Sequence, residues 1–371
     1  MSIFKQFGLP SVINASGRMT KLGVSCIGDE VGESLLEAAK SYVVIDDLYK
    51  EAGNKIATMI GANDVCVTSS ASSGIALSIA SLLCGSDISK VHRFQETVNN
   101  SLKKEVIMLR GQNVNFGAPI DSMIEIGGGK VVEVGYANQS SIEDITQAIS
   151  KERTLAIIFI KSHHCVQKNM VDAKAAIAAA NENNIPIIVD AAAEENLSMY
   201  MEMGADFVCY SGAKAISGPT SGFVACRNTK DADNMRLQYK GIGRVMKVGK
   251  ENIVGLVKAV EIYQKNGGYI PTVNYEQLLT FNNEVNEIKG LQAEIIKDEA
   301  GRKIYRSKIT VDENIYGLSA LALVEKLVQN NPQIYTRDYQ ANVGSISIDP
   351  RPLRGKEELD IIRTVLEKIR K

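Results

Sequence analysis

Between residues 62 and 226 the chain alternates short unbroken apolar runs with segments whose apolar positions recur every three or four residues. The runs are DVCVT, KEVIML, KVVEV, TLAIIFI, IPIIVD, DFVCY and GFVAC. Between them lie SSGIALSIASLLC, PIDSMIEIGG, SIEDITQAIS and DAKAAIAAANEN. In the last of these, Ala173, Ala176, Ile177 and Ala180 fall on one helical face. Continuous Val/Ile runs are strands buried on both sides, so the alternation predicts a largely parallel sheet covered by helices on each face. Right-handed connections leave the strand carboxyl ends along one edge, where an α/β protein takes its ligand.

Past residue 250 the texture changes. ENIVGLVKAVEIYQKNGG reads as a long helix closed by two glycines. KIYRSKITV and NVGSISID then read as strands, with SALALVEKLVQN and KEELDIIRTVLEKIRK as helices. These elements predict a large domain over 1–250, preceded by an N-terminal arm, and a small α+β domain over 251–371. The length of 371 residues, more than one core usually serves, supports two lobes.

Composition narrows the function. With 42 basic against 43 acidic side chains, the chain has no charge surplus with which to neutralise a nucleic acid backbone. Its apolar stretches are far shorter than a membrane span, and MSIFKQFGLP lacks the pattern of an export signal. The six cysteines are scattered without a C-x-x-C pair, as expected of reduced, buried thiols rather than a metal or disulfide framework. A cytoplasmic protein acting on a small molecule, with neither a nucleic acid nor a membrane as partner, is the expectation.

Three features, in order along the chain, carry chemistry. TSSASSGIA (68–76) joins a strand to a helix; small hydroxyl residues there expose backbone N–H groups at the positive end of the helix, an anion cup, although a serine N-cap alone explains such a pattern. Asp190 ends the buried strand IPIIVD, where it either caps a helix beginning at AAAEEN or sets a carboxylate against a cationic ring nitrogen. Lys214, in YSGAKAISGPTSG, follows the strand DFVCY among glycines that admit a ligand close to the backbone. A partly desolvated lysine there can form an imine with a carbonyl cofactor.

The order of these features resembles that of fold type I enzymes dependent on pyridoxal 5′-phosphate (PLP). The wording of VINASGRMTKLGVS, RGQNVNFGAPIDSMIEIGGGKVVEVGYAN, IKSHHCVQKNM, IVDAAAEE and YSGAKAISGPTSG resembles the branch that contains bacterial selenocysteine synthase and ammonia-lyases of phosphorylated amino sugar acids. GIGRVMKVGKE and DPRPL extend the resemblance into the small lobe. It implies an aspartate aminotransferase-like large domain and PLP bound as a Schiff base on Lys214, with Asp190 against the ring nitrogen. It also implies Ser70, Ala71, Ser72 and Ser211 around the phosphate, and Gln112 or Asn113 stacked on the ring. Shared active sites in a homodimer or larger homo-oligomer are implied too, with Gly218, Pro219 and Thr220 reaching a neighbour's cofactor phosphate. The ammonia-lyase likeness is the sharper one. Selenocysteine synthases read Ser-Gly-Asp-Lys where this chain has Ser-Gly-Ala-Lys at 211–214, and they carry an N-terminal tRNA-binding extension not seen here, which argues against a tRNA substrate.

The expected reaction is therefore loss of ammonia and water from a phosphorylated 2-amino sugar acid, with D-glucosaminate 6-phosphate as the candidate and 2-keto-3-deoxygluconate 6-phosphate as its product. Seleno-group transfer to seryl-tRNA, another PLP reaction on a small amino acid (lyase or racemase), and a non-catalytic binding protein are the alternatives. His163 and His164 follow TLAIIFI at the reactive edge; as neighbours on an extended segment they are expected to face opposite ways, one of them able to protonate a leaving hydroxyl. Arg18, Arg244, Lys247, Arg351 and Arg354 sit in short irregular segments where cationic side chains can meet a carboxylate or phosphate. Arg351 is favoured for the substrate carboxylate. Glu194 and Glu195 are expected to start a helix and complement its dipole.

Overall fold

The computed structural model describes residues 3–370. Twelve strands lie within them: β1 (Val12–Ala15), β2 (Asp64–Thr68), β3 (Glu105–Leu109), β4 (Lys130–Val134), β5 (Thr154–Ile160), β6 (Ile187–Asp190), β7 (Phe207–Ser211), β8 (Gly222–Cys226), β9 (Leu291–Lys297), β10 (Tyr305–Val311), β11 (Gln333–Thr336) and β12 (Ser345–Ile348).

The chain divides into two compact units, one of residues 27–269 and one that joins residues 1–26 to 270–371. The division differs from a split at residue 250. The helix Lys250–Lys265 packs on the helices Asp29–Ala39 and Ile45–Ile60 and so belongs to the larger unit. In the smaller unit, β1 pairs in parallel with β11, which ties the N-terminal arm to the C-terminal part of the chain.

The larger unit is built on a seven-stranded sheet in the order β2-β8-β7-β6-β5-β3-β4. All its neighbouring pairs are parallel except those of β8, which runs against both β2 and β7. The continuous apolar runs are explained by burial on both faces. Val65, Ile107, Ile157, Val189, Val208 and Ala225 point into one core, whereas Cys66, Met108, Ile158, Ile188, Cys209 and Val224 point into the other. The helix Ala71–Cys84 is apolar nearly all round because it lies inside that second core; Gly74 has no side chain where a Cβ would come within 2.8 Å of Val224.

The smaller unit carries the antiparallel sheet β12-β10-β9 and the β1-β11 pair. Its core is formed by Ile309, Ile346 and Ile348 of the sheet with Leu323, Leu327, Ile362 and Leu366 of the helices Ala320–Gln329 and Lys356–Ile369. The helical reading of KEELDIIRTVLEKIRK extends to Lys371, which lies outside the described residues. No described helix is long and apolar enough to cross a membrane.

Candidate active site

The site grows out of strand register. Thr68, Gly222 and Ser211 stand opposite one another across β2, β8 and β7. The anion cup after β2 and the lysine loop after β7 are thus held at the same level of the sheet, with β8 between their two strands. Gly222 lies between them, and a Cβ there would come within 2.5 Å of the Ser70 carbonyl carbon and 2.8 Å of the Ala71 nitrogen. Only glycine lets β8 run this close to the start of the helix.

In the cup, Ser70 is the N-cap of the Ala71–Cys84 helix. Its hydroxyl accepts from the Ser73 N–H at 3.0 Å, and its own N–H donates to Ser73 Oγ at 2.9 Å. Both groups of Ser70 are therefore used in capping the helix. The amides of Ala71 and Ser72 have no acceptor among the described residues, and they sit at the positive end of a 14-residue helix.

Asp190 ends β6, one strand from β7, and pairs in register with Cys209. Its Oδ1 accepts the Ala192 N–H at 3.0 Å. No helix follows for it to cap, because the next one begins at Met199. Burial pushes the Asp190 carboxyl above its ordinary value, while Lys214 and the Ala192 N–H pull it down. A desolvated carboxylate whose main opposing charge is the lysine is suited to a further cation.

Lys214 lies in a turn closed on itself. The Gly212 N–H donates to Ser221 O at 2.9 Å, Gly218 N–H to Gly212 O at 2.7 Å, and Ser217 N–H to Lys214 O at 3.1 Å. Ser217 takes a left-handed conformation, φ 57°, to complete the turn. Thr220, at the exposed end of this loop, uses its carbonyl to accept from Asn252 Nδ2 at 3.0 Å. Ser211 sits half-buried at the end of β7, its N–H donating to Ala192 O at 3.3 Å.

Two expectations are corrected. His163 and His164 do not face opposite ways: their rings lie 4.0 Å apart, tilted by 37°. The segment is a turn, not an extended strand; the Cys165 N–H donates to Ser162 O and the His164 N–H to Ser162 Oγ, folding both imidazoles to one side. Glu194 and Glu195 do not start a helix. Glu194 is buried and accepts from the Tyr200 hydroxyl at 3.2 Å, and the Tyr263 hydroxyl donates to Glu195 O at 2.6 Å. With the Tyr210 hydroxyl on Asn196 O at 3.3 Å, these tyrosines pin the loop that follows Asp190. Their supporting role had no sequence signal, because Tyr263 is far along the chain from that loop.

Gln112 is buried, and its Oε1 accepts the Ile160 N–H at 2.9 Å, anchoring the end of β5. Asn113 donates to Glu133 Oε1 at 2.6 Å. Arg244 and Lys247 are exposed in the larger unit. Arg18, Arg351 and Arg354 belong to the smaller unit. There Arg351 holds Asp349, with Nη2 to Oδ2 at 2.7 Å, and Arg354 holds Glu358, with Nη2 to Oε1 at 2.7 Å.

The residues present fit PLP: two unaccepted amides at a helix start for a phosphate, a desolvated carboxylate for a cationic ring nitrogen, and a lysine on the adjoining strand end for the aldehyde. Comparisons with known proteins agree. The SelA family model, L-seryl-tRNA selenium transferase, matches residues 12–323. A D-glucosaminate-6-phosphate ammonia lyase of Salmonella typhimurium is 42% identical over 366 residues, which span 99% of this chain and 97% of that protein. A 5′-C-glycyluridine monooxygenase-decarboxylase of a Streptomyces species is 34% identical, over 98% of this chain and 91% of that one. The solved structure of a D-glucosaminate-6-phosphate ammonia-lyase superposes with a TM-score of 0.89 at 41% identity, covering 99% of each chain. An aspartate aminotransferase of Thermotoga maritima, 14% identical, shares the fold alone, with a TM-score of 0.57 over 98% of this chain and 94% of that one. The chain belongs to the L-seryl-tRNA selenium transferase family and has the fold type I architecture of PLP-dependent enzymes.

Proposed function

We propose that this protein is a PLP-dependent lyase that converts D-glucosaminate 6-phosphate to 2-keto-3-deoxygluconate 6-phosphate and ammonia. The observation that carries the reading is the pairing of Asp190 and Lys214 on adjoining strand ends beside the amides of Ala71 and Ser72. The likeness to the Salmonella ammonia lyase over almost the whole length of both chains supports the choice of substrate.

Bound PLP supplies an electron sink for negative charge at the substrate α-carbon. Lys214 would anchor the cofactor, and its free amine would be the base that removes the substrate α-proton. Asp190 stays ionised against the ring nitrogen and keeps that nitrogen protonated. The Ala71 and Ser72 amides, with the Ser211 and Ser72 hydroxyls, hold the cofactor phosphate, and Gln112 or Asn113 flanks the ring. One of the stacked imidazoles of His163 and His164, or protonated Lys214, gives a proton to the departing 3-hydroxyl. The water lost at C3 is balanced by the water consumed when the nitrogen is released, so ammonia is the net loss.

Arg18, Arg244 and Arg351 are the proposed contacts for the substrate's two anionic ends. Thr220, on its exposed loop, is proposed to reach a neighbouring subunit's cofactor phosphate in a homodimer or larger assembly. A cytoplasmic setting, with neither nucleic acid nor membrane as partner, goes with this reading. A charge-assisted contact contributes roughly 1.5–3 kcal/mol, so D-glucosaminate without its 6-phosphate should react with kcat/KM lowered by about ten- to a hundredfold. The test is release of ammonia and keto acid from both compounds, with oxygen uptake and carbon dioxide followed in parallel. Equal efficiencies would contradict a phosphate clamp, and oxygen-dependent loss of carbon dioxide would contradict the lyase.

A further inference from the structure

The segment that follows Asp190, residues 191–197, forms neither helix nor strand, yet it is bonded to two parts of the candidate site. Ala192 makes both connections. Its N–H donates to Asp190 Oδ1 at 3.0 Å, and its carbonyl accepts the Ser211 N–H at 3.3 Å. The Ala191 N–H adds a bond to Cys209 O at 3.0 Å, so the loop continues the pairing of β6 with β7 past the end of the strand. The Asp190 carboxylate and the backbone that opens the lysine loop therefore take their places from one residue.

What holds Ala192 lies further along the same loop. The Glu195 carbonyl accepts the Tyr263 hydroxyl at 2.6 Å, and the Asn196 carbonyl accepts the Tyr210 hydroxyl at 3.3 Å. The Asn196 side chain caps the next helix, where Oδ1 accepts the Ser198 and Met199 N–H groups at 3.0 and 2.9 Å. Glu194, between these points, is 6% exposed and accepts the Tyr200 hydroxyl at 3.2 Å. Tyr200, Tyr210 and Tyr263 are themselves buried. Burial, with the neighbouring Tyr200 and Glu194 adding to it, pushes the Tyr210 hydroxyl well above its ordinary value and keeps it a donor. A loop with no ladder of its own is thus fixed by hydroxyls from β7 and from the last turn of the helix Lys250–Lys265.

Tyr263 differs from the other two in where it comes from. Tyr200 and Tyr210 lie close to the loop or to Ser211 along the chain, whereas Tyr263 is 68 residues from Glu195 and ties the loop to a helix packed on Asp29–Ala39 and Ile45–Ile60. Its ring belongs to the core of the larger unit, which a phenylalanine would fill as well; the hydroxyl on Glu195 O is what a phenylalanine would not supply.

We infer that Tyr263 is a positioning residue: its hydroxyl on the Glu195 carbonyl holds the 191–196 loop so that Ala192 aims the Asp190 carboxylate at the PLP ring nitrogen. The inference rests on the function proposed above in one respect, that Asp190 is the partner of that nitrogen. A charge-assisted bond is directional, so a small displacement of the carboxylate costs protonation of the ring and slows the chemical step without touching the groups that bind substrate.

The test is NMR of the protein loaded with PLP carrying nitrogen-15 in its ring. The wild type and Asp190→Asn set the two ends of a chemical-shift scale, a protonated and an unprotonated ring nitrogen. On that scale Tyr263→Phe should move toward Asp190→Asn, and Tyr210→Phe, which takes the longer of the two hydroxyl bonds from the loop, should move the same way by less. Tyr316→Phe is the control: it removes a hydroxyl bond of the same length, 2.6 Å to Leu366 O, from a buried residue of the smaller unit, and should stay at the wild-type position. α-Proton exchange in D-glucosaminate 6-phosphate, followed by deuterium incorporation, should fall about tenfold in Tyr263→Phe with KM unchanged, and should not fall in Tyr316→Phe. Tyr263→Phe at the wild-type shift with wild-type exchange, or Tyr316→Phe moved as far, would show that the hydroxyl supports the fold alone and overturn the inference. The wild type and Asp190→Asn at a single shift would contradict the role proposed for Asp190, and the inference would fall with it. Separated shifts in a wild type that does not turn over D-glucosaminate 6-phosphate would contradict the proposed substrate, while the order of the variants on the scale would still decide the role of Tyr263.

Discussion

At the scale of single residues, Asp190 and Lys214 stand out in the sequence because each breaks a local rule. A carboxylate ends a strand that is otherwise apolar, and a lysine sits in a small-residue loop just past another strand; the structure puts them on neighbouring strand ends. The histidines show the limit of that logic. Their position after β5 was readable, but their orientation depends on the turn formed at Ser162. Asp190→Asn keeps an acceptor for the Ala192 N–H and removes the charge. It should retain PLP while slowing α-proton exchange about a hundredfold, measured as deuterium incorporation by NMR; near-normal exchange would reduce Asp190 to a structural turn residue. The cysteines yield a second expectation. Burial pushes the thiols of Cys66 and Cys165 up to about 12 and that of Cys84 to about 11, and raises Cys209 and Cys226 well above the ordinary value, whereas Cys26 is exposed. Alkylation of the native protein at pH 8 should therefore label Cys26 alone by mass spectrometry. Labelling of a second thiol would contradict the packing of the sheet.

At the scale of elements, legibility followed burial. TLAIIFI, DVCVT and GFVAC are readable to the residue because these strands of the large sheet are buried along their whole length. β9 carries no distinct strand signal: in the antiparallel sheet its sequence LQAEIIK alternates and resembles a helix surface as much as a strand. β1 and β11 are four residues each, and their pairing joins segments from opposite ends of the chain, which no local pattern can announce. The meeting of β8 with the cup is a further non-local contact, and it can be tested. Gly222→Ala places a methyl against Ser70 and Ala71, and should destabilise the fold by about 1–3 kcal/mol while weakening PLP binding, followed by denaturant unfolding and cofactor titration. Ser70→Ala should cost about 1 kcal/mol through the lost cap but leave the Ala71 and Ser72 amides in place, so PLP binding should suffer less than in the glycine variant. The reverse order would move the phosphate contact onto the Ser70 hydroxyl.

At the scale of the whole molecule, two differently built units meet different conditions. The larger one draws on a sheet buried on both faces, and the smaller one adds a buried ion network. Its arginines hold the Asp298 and Asp349 carboxyls well below the ordinary carboxylate range. Carboxyls depressed in the folded state contribute stability in full above the unfolded value of about 3.9 and lose it as pH falls from there toward the folded value. Urea midpoints should accordingly fall below about pH 4, and Asp349→Asn, which strands Arg306 and Arg351, should cost about 3–5 kcal/mol at neutral pH while flattening that acid dependence. The unit boundaries were only partly readable, because the helix after residue 250 changes texture without changing unit and the N-terminal arm pairs with a distant strand. The central claim is that the edge of the large sheet is a PLP site built on one lysine. Borohydride reduction of the PLP-loaded protein, followed by peptide mapping, tests it most directly. The account predicts a pyridoxyl group fixed on Lys214 and lost from Lys214→Ala; fixation on another lysine, or none with PLP present in excess, would contradict it.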